Sequence, residues 1–235
     1  MNRFFRNIAM PIAIIGGAAS VATPAFASSS PTSTVTPAQI AQLQSDINSR
    51  ITFLETLSTR IQGASALSTS DAATLSQVVG SSNSGDIAAM QSLLASVQSI
   101  TTTTQLHLTY ETMYDNYRIY AVVGPQVDMT IAQSQILSIS QSLANLEPTL
   151  NSLIQSNGNN PTAVAAYSNL QSEVSQAQSV ANGLGTFPIS LSPSIYNANP
   201  TGTHSTVVSD WQQIKSTWTT LKTARQDVST IIKNI

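Results

Sequence analysis

Residues 129–153 read MTIAQSQILSISQSLANLEPTLNSL, and the apolar side chains in this run recur in alternating steps of three and four. Such spacing places them along one side of an α-helix, as in the seam of a coiled coil. The seam consists of Met129, Ala132, Ile136, Ile139, Leu143, Leu146, Leu150 and Leu153. Because the apolar register continues past Pro148, we expect a kink at this proline within one long helix.

Apolar side chains at helical spacing also occur on both sides of this run. They predict helices over approximately residues 37–63, 69–79, 86–123, 161–184 and 205–235. Thr36 and Gln39 are placed to form a capping box for the first helix. Gly124-Pro125 is interpreted as a chain break, and residues 186–203, which hold three prolines, as a packed surface loop. The predicted fold is all-α, an elongated up-and-down bundle of about five to six helices with coiled-coil-like seams.

The first 27 residues have the pattern of a secretory signal peptide. Arg3 and Arg6 precede an apolar run, and Ala25-Phe26-Ala27 places small residues at the two positions that determine cleavage. The run is shorter than the ~20 residues that span a bilayer, so we expect cleavage and no transmembrane segment thereafter. Residues 28–35 are predicted to be a flexible tether, and residues 36–235 a single domain. The expected location is secreted or extracytoplasmic, at the cell surface.

The composition points to an exterior that is polar but almost uncharged. Charged residues make up 9% of the chain, against roughly 25% in ordinary soluble proteins. A formal net charge of −2 argues against a nucleic-acid partner, which requires clustered Lys and Arg. The chain has no cysteine, so it can form neither a disulfide nor a thiolate metal site. Stability must therefore come from buried apolar area.

Groups able to perform covalent chemistry are scarce. The chain has two histidines and eleven acidic residues. It contains no Walker loop, HExxH, GxSxG or dinucleotide-binding glycine motif. We therefore assign no catalytic residue, no metal ligand and no cofactor, and expect a protein that is not an enzyme.

The residues most capable of binding lie between positions 105 and 123. His107, Glu111 and Asp115 follow one another at four-residue steps, so one helix face would present an imidazole and two carboxylates. The candidate ligand-binding residues are His107, Glu111, Asp115, Tyr114, Tyr117 and Arg118. A single helix rarely completes a metal coordination sphere. A salt-bridged polar face, a ligand groove edged by tyrosines and a metal site remain open as interpretations.

Residues 115–127 read DNYRIYAVVGPQV. This run resembles a segment of uncharacterised secreted helical proteins of actinobacterial type, in which a similar Asp-x-Tyr-Arg-Val/Ile run ends in Pro-Lys-Val. Here Gln126 takes the place of the lysine, and the flanking helices are rich in Ser, Thr and Gln where that family tends to be rich in Ala, Lys and Asp. The resemblance implies export and a helical fold, and it implies no particular activity.

Export, seam-like helices and few reactive groups together favour a non-catalytic structural or protein-interaction module of the cell envelope or extracellular matrix. Its expected partner is a protein, either a second copy of the chain or an envelope or matrix component. Two alternatives come from other classes. One is an extracytoplasmic protein that binds a small ligand or metal near His107, Glu111, Asp115 and Tyr117. The other is a membrane-active helical protein, because amphipathic helices can also insert into lipid.

Overall fold

The computed structural model describes residues 33–82 and 85–235, which belong to one compact unit. These residues form α-helices joined by short turns, and the pairing of extended backbone among them is limited to an isolated bridge between Thr34 and Thr102. The predicted all-α helical bundle is confirmed. The predicted signal peptide, residues 1–27, and residues 28–32 of the predicted tether lie outside the described residues.

The α-helices differ widely in length. They are α1 (Pro37–Gly63), α2 (Thr69–Val79), α3 (Asp86–Ser96), α4 (Thr103–Glu111), α5 (Gly124–Ala144), α6 (Glu147–Ser156), α7 (Pro161–Gly183), α8 (Phe187–Ser190), α9 (Pro193–Ala198) and α10 (Pro200–Lys233). Short π-helical segments at Thr112–Asn116 and Ile119–Val123 connect α4 to α5. The described residues contain more helices than expected from the sequence because several predicted elements are divided or replaced by shorter ones.

The buried apolar side chains form two clusters. The N-terminal core joins α1 to α4, the π segments and the start of α5. Its largest fully buried side chains are Leu43, Ile47, Leu54, Leu57, Leu75, Met90, Met113 and Ile119. The C-terminal core lies among α5, α6, α7 and α10. It includes Met129, Ile136, Leu170, Ile214, Leu221, Ile231 and six alanines at positions 132, 163, 166, 177, 181 and 224.

Helix α5 belongs to both cores. Val127 and Ile131 pack in the N-terminal core, whereas Met129, Ala132 and Ile136 pack in the C-terminal core. The first part of α5 is therefore covered on more than one side, which explains why it buries residues that are not in the predicted seam. Because α5 packs in both cores, it connects the two clusters of buried side chains.

The single helix predicted over residues 86–123 is wrong. The helix is interrupted first near residue 100 and again at Arg118. The first interruption follows Val97–Ser99, a single 3₁₀ turn, after which Thr102 caps a new helix by accepting from the Gln105 backbone N–H. The run of β-branched threonines here lowers helix propensity and offers a strong N-cap instead. The end of the predicted tether pairs with this interruption, since Val35 N–H donates to the Thr101 carbonyl at 3.2 Å.

The predicted break at Gly124-Pro125 is also wrong. The chain turns earlier, at Arg118, whose φ of 44° places it in the left-handed region between the two π segments. Gly124 and Pro125 instead start α5, where proline is tolerated because the first turn has unpaired N–H groups. Gly124 permits close packing: a Cβ at this position would lie 3.0 Å from the tip of the Phe53 ring.

Two further expectations are corrected at prolines. Pro148 lies at the start of a new helix instead of kinking a continuous one, because α5 stops at Ala144 and α6 starts at Glu147 with the proline in its first turn. The apolar register shifts at this break, so Leu146 is 37% exposed and Ile154 is buried. Residues 186–203, expected to form a loop, contain α8, α9 and the start of α10, each with a proline in its first turn.

Many serine and threonine side chains in the helices donate to a carbonyl of their own helix. Thr56 Oγ1 donates to the Thr52 carbonyl at 3.0 Å, and Thr109 Oγ1 donates to the Gln105 carbonyl at 2.9 Å, each four residues earlier. Such bonds satisfy hydroxyl donors within the helix, which lets a hydroxyl-rich sequence remain helical. Within the part of the chain that the structure describes, no helix combines the length and apolar character needed to cross a membrane.

Candidate functional site

The predicted acidic and imidazole stripe divides into two separate side-chain pairs. His107 Nε2 lies 3.0 Å from Glu111 Oε1, and both side chains are about half exposed. Asp115 Oδ1 lies 2.8 Å from Arg118 Nη2. Helix α4 ends at Glu111, and Asp115 lies in the π segment that follows. Asp115 therefore pairs with Arg118 and not with His107 or Glu111. Among the described residues, no three His, Cys, Asp or Glu side chains are arranged to hold a metal ion.

Arg118 and Asp115 attach the short helix α9 to the π segments. Arg118 Nε donates to Asn197 Oδ1 at 2.8 Å, and Asn197 Nδ2 donates to the Asp115 carbonyl at 2.7 Å. The Arg118 guanidinium also lies over the Tyr196 ring, 5.2 Å from its centroid. A residue held in the left-handed region needs such anchoring because the conformation itself is unfavourable. This arrangement assigns Asp115 and Arg118 a structural role in fixing the turn.

Tyr114 takes part in a cluster built around Arg50, a residue that the sequence did not single out. The Arg50 guanidinium lies 4.9 Å from the Tyr114 ring centroid and 5.2 Å from that of Tyr120. Its side chain is only 7% exposed, and Nη1 donates to the Asp46 carbonyl at 2.8 Å. Guanidinium groups stack favourably on aromatic faces, and the attraction strengthens when water is excluded. The two rings and the carbonyl thus compensate for burying a positive charge.

Further contacts hold this cluster rigid. The Tyr110 ring stacks on Tyr114 with centroids 6.0 Å apart, and the Tyr110 hydroxyl donates to Asp46 Oδ2 at 3.1 Å. The Phe53 ring packs against Tyr120 at 5.0 Å. We refer to Asp46, Arg50, Tyr110, Tyr114 and Tyr120 as the Arg50 cluster. Tyr117, also predicted as a site residue, is half-buried and packs against the N-terminal core.

Two tyrosine hydroxyls of the Arg50 cluster, those of Tyr110 and Tyr120, release their protons less readily than a phenol in water. Burial raises the pKa of Tyr110 well above its ordinary value, and the neighbouring Asp46 carboxylate raises it further. Burial also raises the pKa of Tyr120, against the opposing effect of Arg50. Phenols that keep their protons act as neutral hydrogen-bond donors and as aromatic surfaces. Tyr110 and Tyr120 therefore contribute protonated phenols and ring surfaces to the cluster.

A weak sequence signal for Arg50 does exist. Apolar side chains of α1 recur at Leu43, Ile47, Leu54 and Leu57, and Arg50 occupies the position between Ile47 and Leu54 on the same face. The apolar series of α1 also keeps helical spacing if Ile51 is counted instead of Arg50, but Ile51 is only half-buried. A basic residue at a core position of an amphipathic helix is unusual, and such a residue indicates a specific partner.

Carboxyl groups are buried in both cores. Burial raises the pKa of Asp86, in the first turn of α3, to about 7. Burial and then the neighbouring Asp227 carboxylate raise the pKa of Glu173 on α7 to about 7. Asp128 on α5 forms an ion pair with Arg60 on α1, and its pKa is nevertheless raised because burial outweighs the arginine. An open groove of about 460 Å³ lies beside Asp227 and contains none of the predicted site residues.

Comparison with known proteins identifies no relative from which a function could be transferred. No protein-family model, curated protein or solved structure matches the chain. The resemblance of residues 115–127 to secreted actinobacterial-type proteins therefore stays a prediction from the sequence.

Proposed function

We propose that the chain is an exported, non-catalytic protein-interaction module of the cell envelope or extracellular matrix, and that the Arg50 cluster is its recognition surface. The observation that carries this proposal is an exposed aromatic ring whose inner face packs on two other side chains. Tyr120 is 38% exposed, while its ring packs on the buried Arg50 guanidinium and on Phe53. The surface is therefore presented in one conformation before any partner arrives.

Tyrosine and arginine are the residue types that contribute most to protein interfaces. They supply large contact areas and hydrogen bonds, and a ring that is already fixed loses little conformational entropy on binding. Arg50 acts here as a support, because it and Tyr110 are buried and Tyr120 is the ring that the cluster exposes. The half-exposed His107–Glu111 pair on α4 provides nearby polar groups suited to the rim of such an interface.

The sparse charge of the chain defines the kind of partner. With charged residues at 9% of the sequence, long-range electrostatic attraction contributes little to association. Recognition would rely on ring contacts and neutral hydrogen bonds, which salt screens only weakly. A protein surface of similar polarity, in a second copy or in an envelope or matrix component, fits this requirement better than a nucleic acid.

A pair of variants tests the surface. Tyr120→Ala removes the exposed ring, and Leu146→Ala removes a side chain of matching exposure, 37%, that lies outside the Arg50 cluster. Size-exclusion chromatography with light scattering, and cross-linking to the envelope fraction of producing cells, measure association. We expect a specific complex that Tyr120→Ala weakens at least tenfold and Leu146→Ala leaves intact. A strict monomer without an envelope or matrix partner, or equal effects of both variants, would contradict the proposal.

Export is tested separately by the start of the mature chain. If the signal peptide is removed as proposed, mass spectrometry of protein recovered outside the cytoplasm finds Ser28 as the first residue. Protein that stays in the cytoplasm with residues 1–27 attached would remove the envelope or matrix from the proposal. That result would leave the Arg50 cluster open to an intracellular partner, so the two parts of the proposal can fail independently.

A further inference from the structure

The tightest association between helices in the C-terminal core is that of α7 with α10. Helix α7 supplies Ala163, Ala166, Ala177 and Ala181 to this contact, all buried. Small side chains let two helix backbones approach closely, so groups placed between them are removed from water. Any charge at this contact must therefore be compensated or neutralised.

Helix α7 carries one charged residue along its length, Glu173, and this residue faces another acid. The Glu173 carboxyl lies against the Asp227 carboxyl of α10, close enough for a hydrogen bond between them. Glu173 Oε2 and Asp227 Oδ2 are both buried, and neither receives a hydrogen bond while both groups are ionised. One added proton would supply the missing donor. Two acids sharing one proton are a familiar solution to such crowding.

No basic side chain of α7 or α10 is among the groups that act on the pKa of Glu173. The neighbours of Glu173 one turn away are Asn169, Leu170, Gln176 and Ala177, and those of Asp227 are Thr223, Ala224, Thr230 and Ile231. Lys222, Arg225 and Lys233 of α10 lie at other angular positions around the helix. The remaining ionisable residues of α10 are His204, Asp210 and Lys215, all further from Asp227 along the chain.

The other elements packed on α7 and α10 supply no compensating positive charge either. Helix α6 contributes only Glu147, which accepts from Gln171 Nε2 at 3.4 Å. Helix α5 contributes only Asp128, which is paired with Arg60. Tyr167 is the other titratable residue of α7, and its pKa is raised by burial and then by Glu147. The electrostatic environment of Glu173 is consequently dominated by burial and by Asp227.

We propose that Glu173 and Asp227 form a proton-dependent latch between α7 and α10, closed while the two carboxyl groups share one proton and weakened when both are ionised. The groove beside Asp227, lined also by Asn169 and Thr230, gives solvent a route to the Asp227 side of the pair, through which the proton exchanges with the surroundings. Opening the latch would separate the C-terminal turns of α10, which carry Val228 and Ile231, from α7.

The direction of the pH effect follows from the carboxyl of Glu173. Its pKa in the folded chain is about 7, compared with an ordinary value of 4.5. The folded state therefore holds this proton at pH values where the unfolded chain has released it. The stabilisation is complete below about pH 4.5 and is lost as the pH rises through 7. The latch is closed in acid and weakened above neutrality.

Carbon-13 NMR titration of the full mature chain tests the shared proton directly. We expect Glu173 to titrate near pH 7, and an ordinary value would overturn the proposal. Asp227→Asn supplies an amide donor without a negative charge, so Glu173 should then titrate at lower pH. A Glu173 titration that Asp227→Asn does not shift would show that the two groups do not share a proton.

Amide hydrogen exchange at pH 5 and pH 8, corrected for the intrinsic rates, tests the opening. We expect protection of residues 224–231 to fall by roughly tenfold or more at pH 8, while residues 43–57 of α1 change less. Glu173→Gln and Asp227→Asn should each abolish the fall, and Glu55→Gln, at an exposed acid of α1, should leave it unchanged. A fall that persists in both latch variants, or no fall in the unmodified chain, would overturn the proposal.

Discussion

The two cores of this molecule solve the same packing problem by different means. In the C-terminal core, long helices with alanines at the contact positions approach closely, and the apolar pattern is regular. In the N-terminal core, shorter and interrupted helices surround large side chains, among them Met90, Met113 and Tyr110, and no alanine is buried there. Regular packing contributes rigidity, whereas the irregular half positions an unusual group, the buried Arg50 between two tyrosine rings.

The irregular features of the N-terminal half occur close together in the sequence. Both π segments, the left-handed Arg118 and the close approach of Gly124 to Phe53 lie between residues 112 and 124. π-helical turns are often found at functional sites because they redirect side chains out of helical register. Here they bring both Tyr114 and Tyr120 against one guanidinium, that of Arg50. Local irregularity in this half is thus tied to the proposed recognition surface.

The largest expected effect comes from removing a fully buried leucine from either core. Leu57 of the N-terminal core and Leu170 of the C-terminal core both have 0% exposure. Leu57→Ala and Leu170→Ala should each lower the free energy of unfolding by about 2–5 kcal/mol, because each leaves a cavity. Urea unfolding followed by circular dichroism measures the loss. A loss under about 1 kcal/mol in one core alone would show that this core is loosely packed.

Arg50→Lys tests whether the planar guanidinium of Arg50, and not only its positive charge, stabilises the N-terminal half. Lysine keeps the positive charge but lacks the planar group that stacks on Tyr114 and Tyr120, so we expect the free energy of unfolding to fall by about 2 kcal/mol. Lys222→Ala, at an exposed position of α10, is the control and should change stability by less than about 0.5 kcal/mol. Equal stability of Arg50→Lys and the unmodified chain would mean that the stacking contributes nothing.

Asp86 should make the N-terminal half sensitive to pH in the same direction as the latch does in the C-terminal half. Its pKa of about 7 lies above the ordinary 3.8, so its stabilisation is present below about pH 3.8 and is lost as the pH rises through 7. Asp86→Asn mimics the protonated form. We expect it to raise the free energy of unfolding at pH 8 by about 1–2 kcal/mol and to leave it unchanged at pH 3.5. A variant that is less stable at pH 8 would instead show that the charged form is favoured at this helix start.

The smallest effect concerns a glycine in each half. A methyl group on Gly124 would press on the Phe53 ring at 3.0 Å, so Gly124→Ala should cost about 1 kcal/mol and disturb the neighbouring Tyr120. Gly183, at the end of α7, has open space, and Gly183→Ala should be neutral or stabilise by up to about 1 kcal/mol. Thermal unfolding compares them. The packing argument fails if Gly124→Ala is the more stable of the two.

The sequence predicted helices well in both halves where the apolar spacing is uninterrupted, and α1 and α2 begin and end where expected. Helix α7 was predicted at residues 161–184 and spans Pro161–Gly183, since its apolar positions recur at regular helical spacing and its ends carry proline and glycine. The seam of α5 held as far as Leu143 but failed at Leu146, where Pro148 starts a new helix. Whether a proline kinks or starts a helix depends on tertiary packing that a single sequence does not contain.

The candidate site was predicted only in part. His107 and Glu111 pair at helical spacing, as the sequence allowed, but the π segment between α4 and Arg118 turned Asp115 away from them. A π-helical turn leaves no periodic signal in so short a run. Arg50 lies more than 60 residues from Tyr114 and Tyr120, so their contact depends on how α1 packs. Only the position of Arg50 on the apolar face of α1 indicated its role.

Helix α5 contributes side chains to both cores, and its central role is to join them into one cooperative unit. Trp211 and Trp218 both pack against the C-terminal core, so tryptophan fluorescence reports on that half, whereas circular dichroism reports on all helices. Urea unfolding of the mature chain, followed by both signals, should give coincident transitions with one midpoint. Two separated midpoints, with the fluorescence change lagging or leading, would contradict that role of α5.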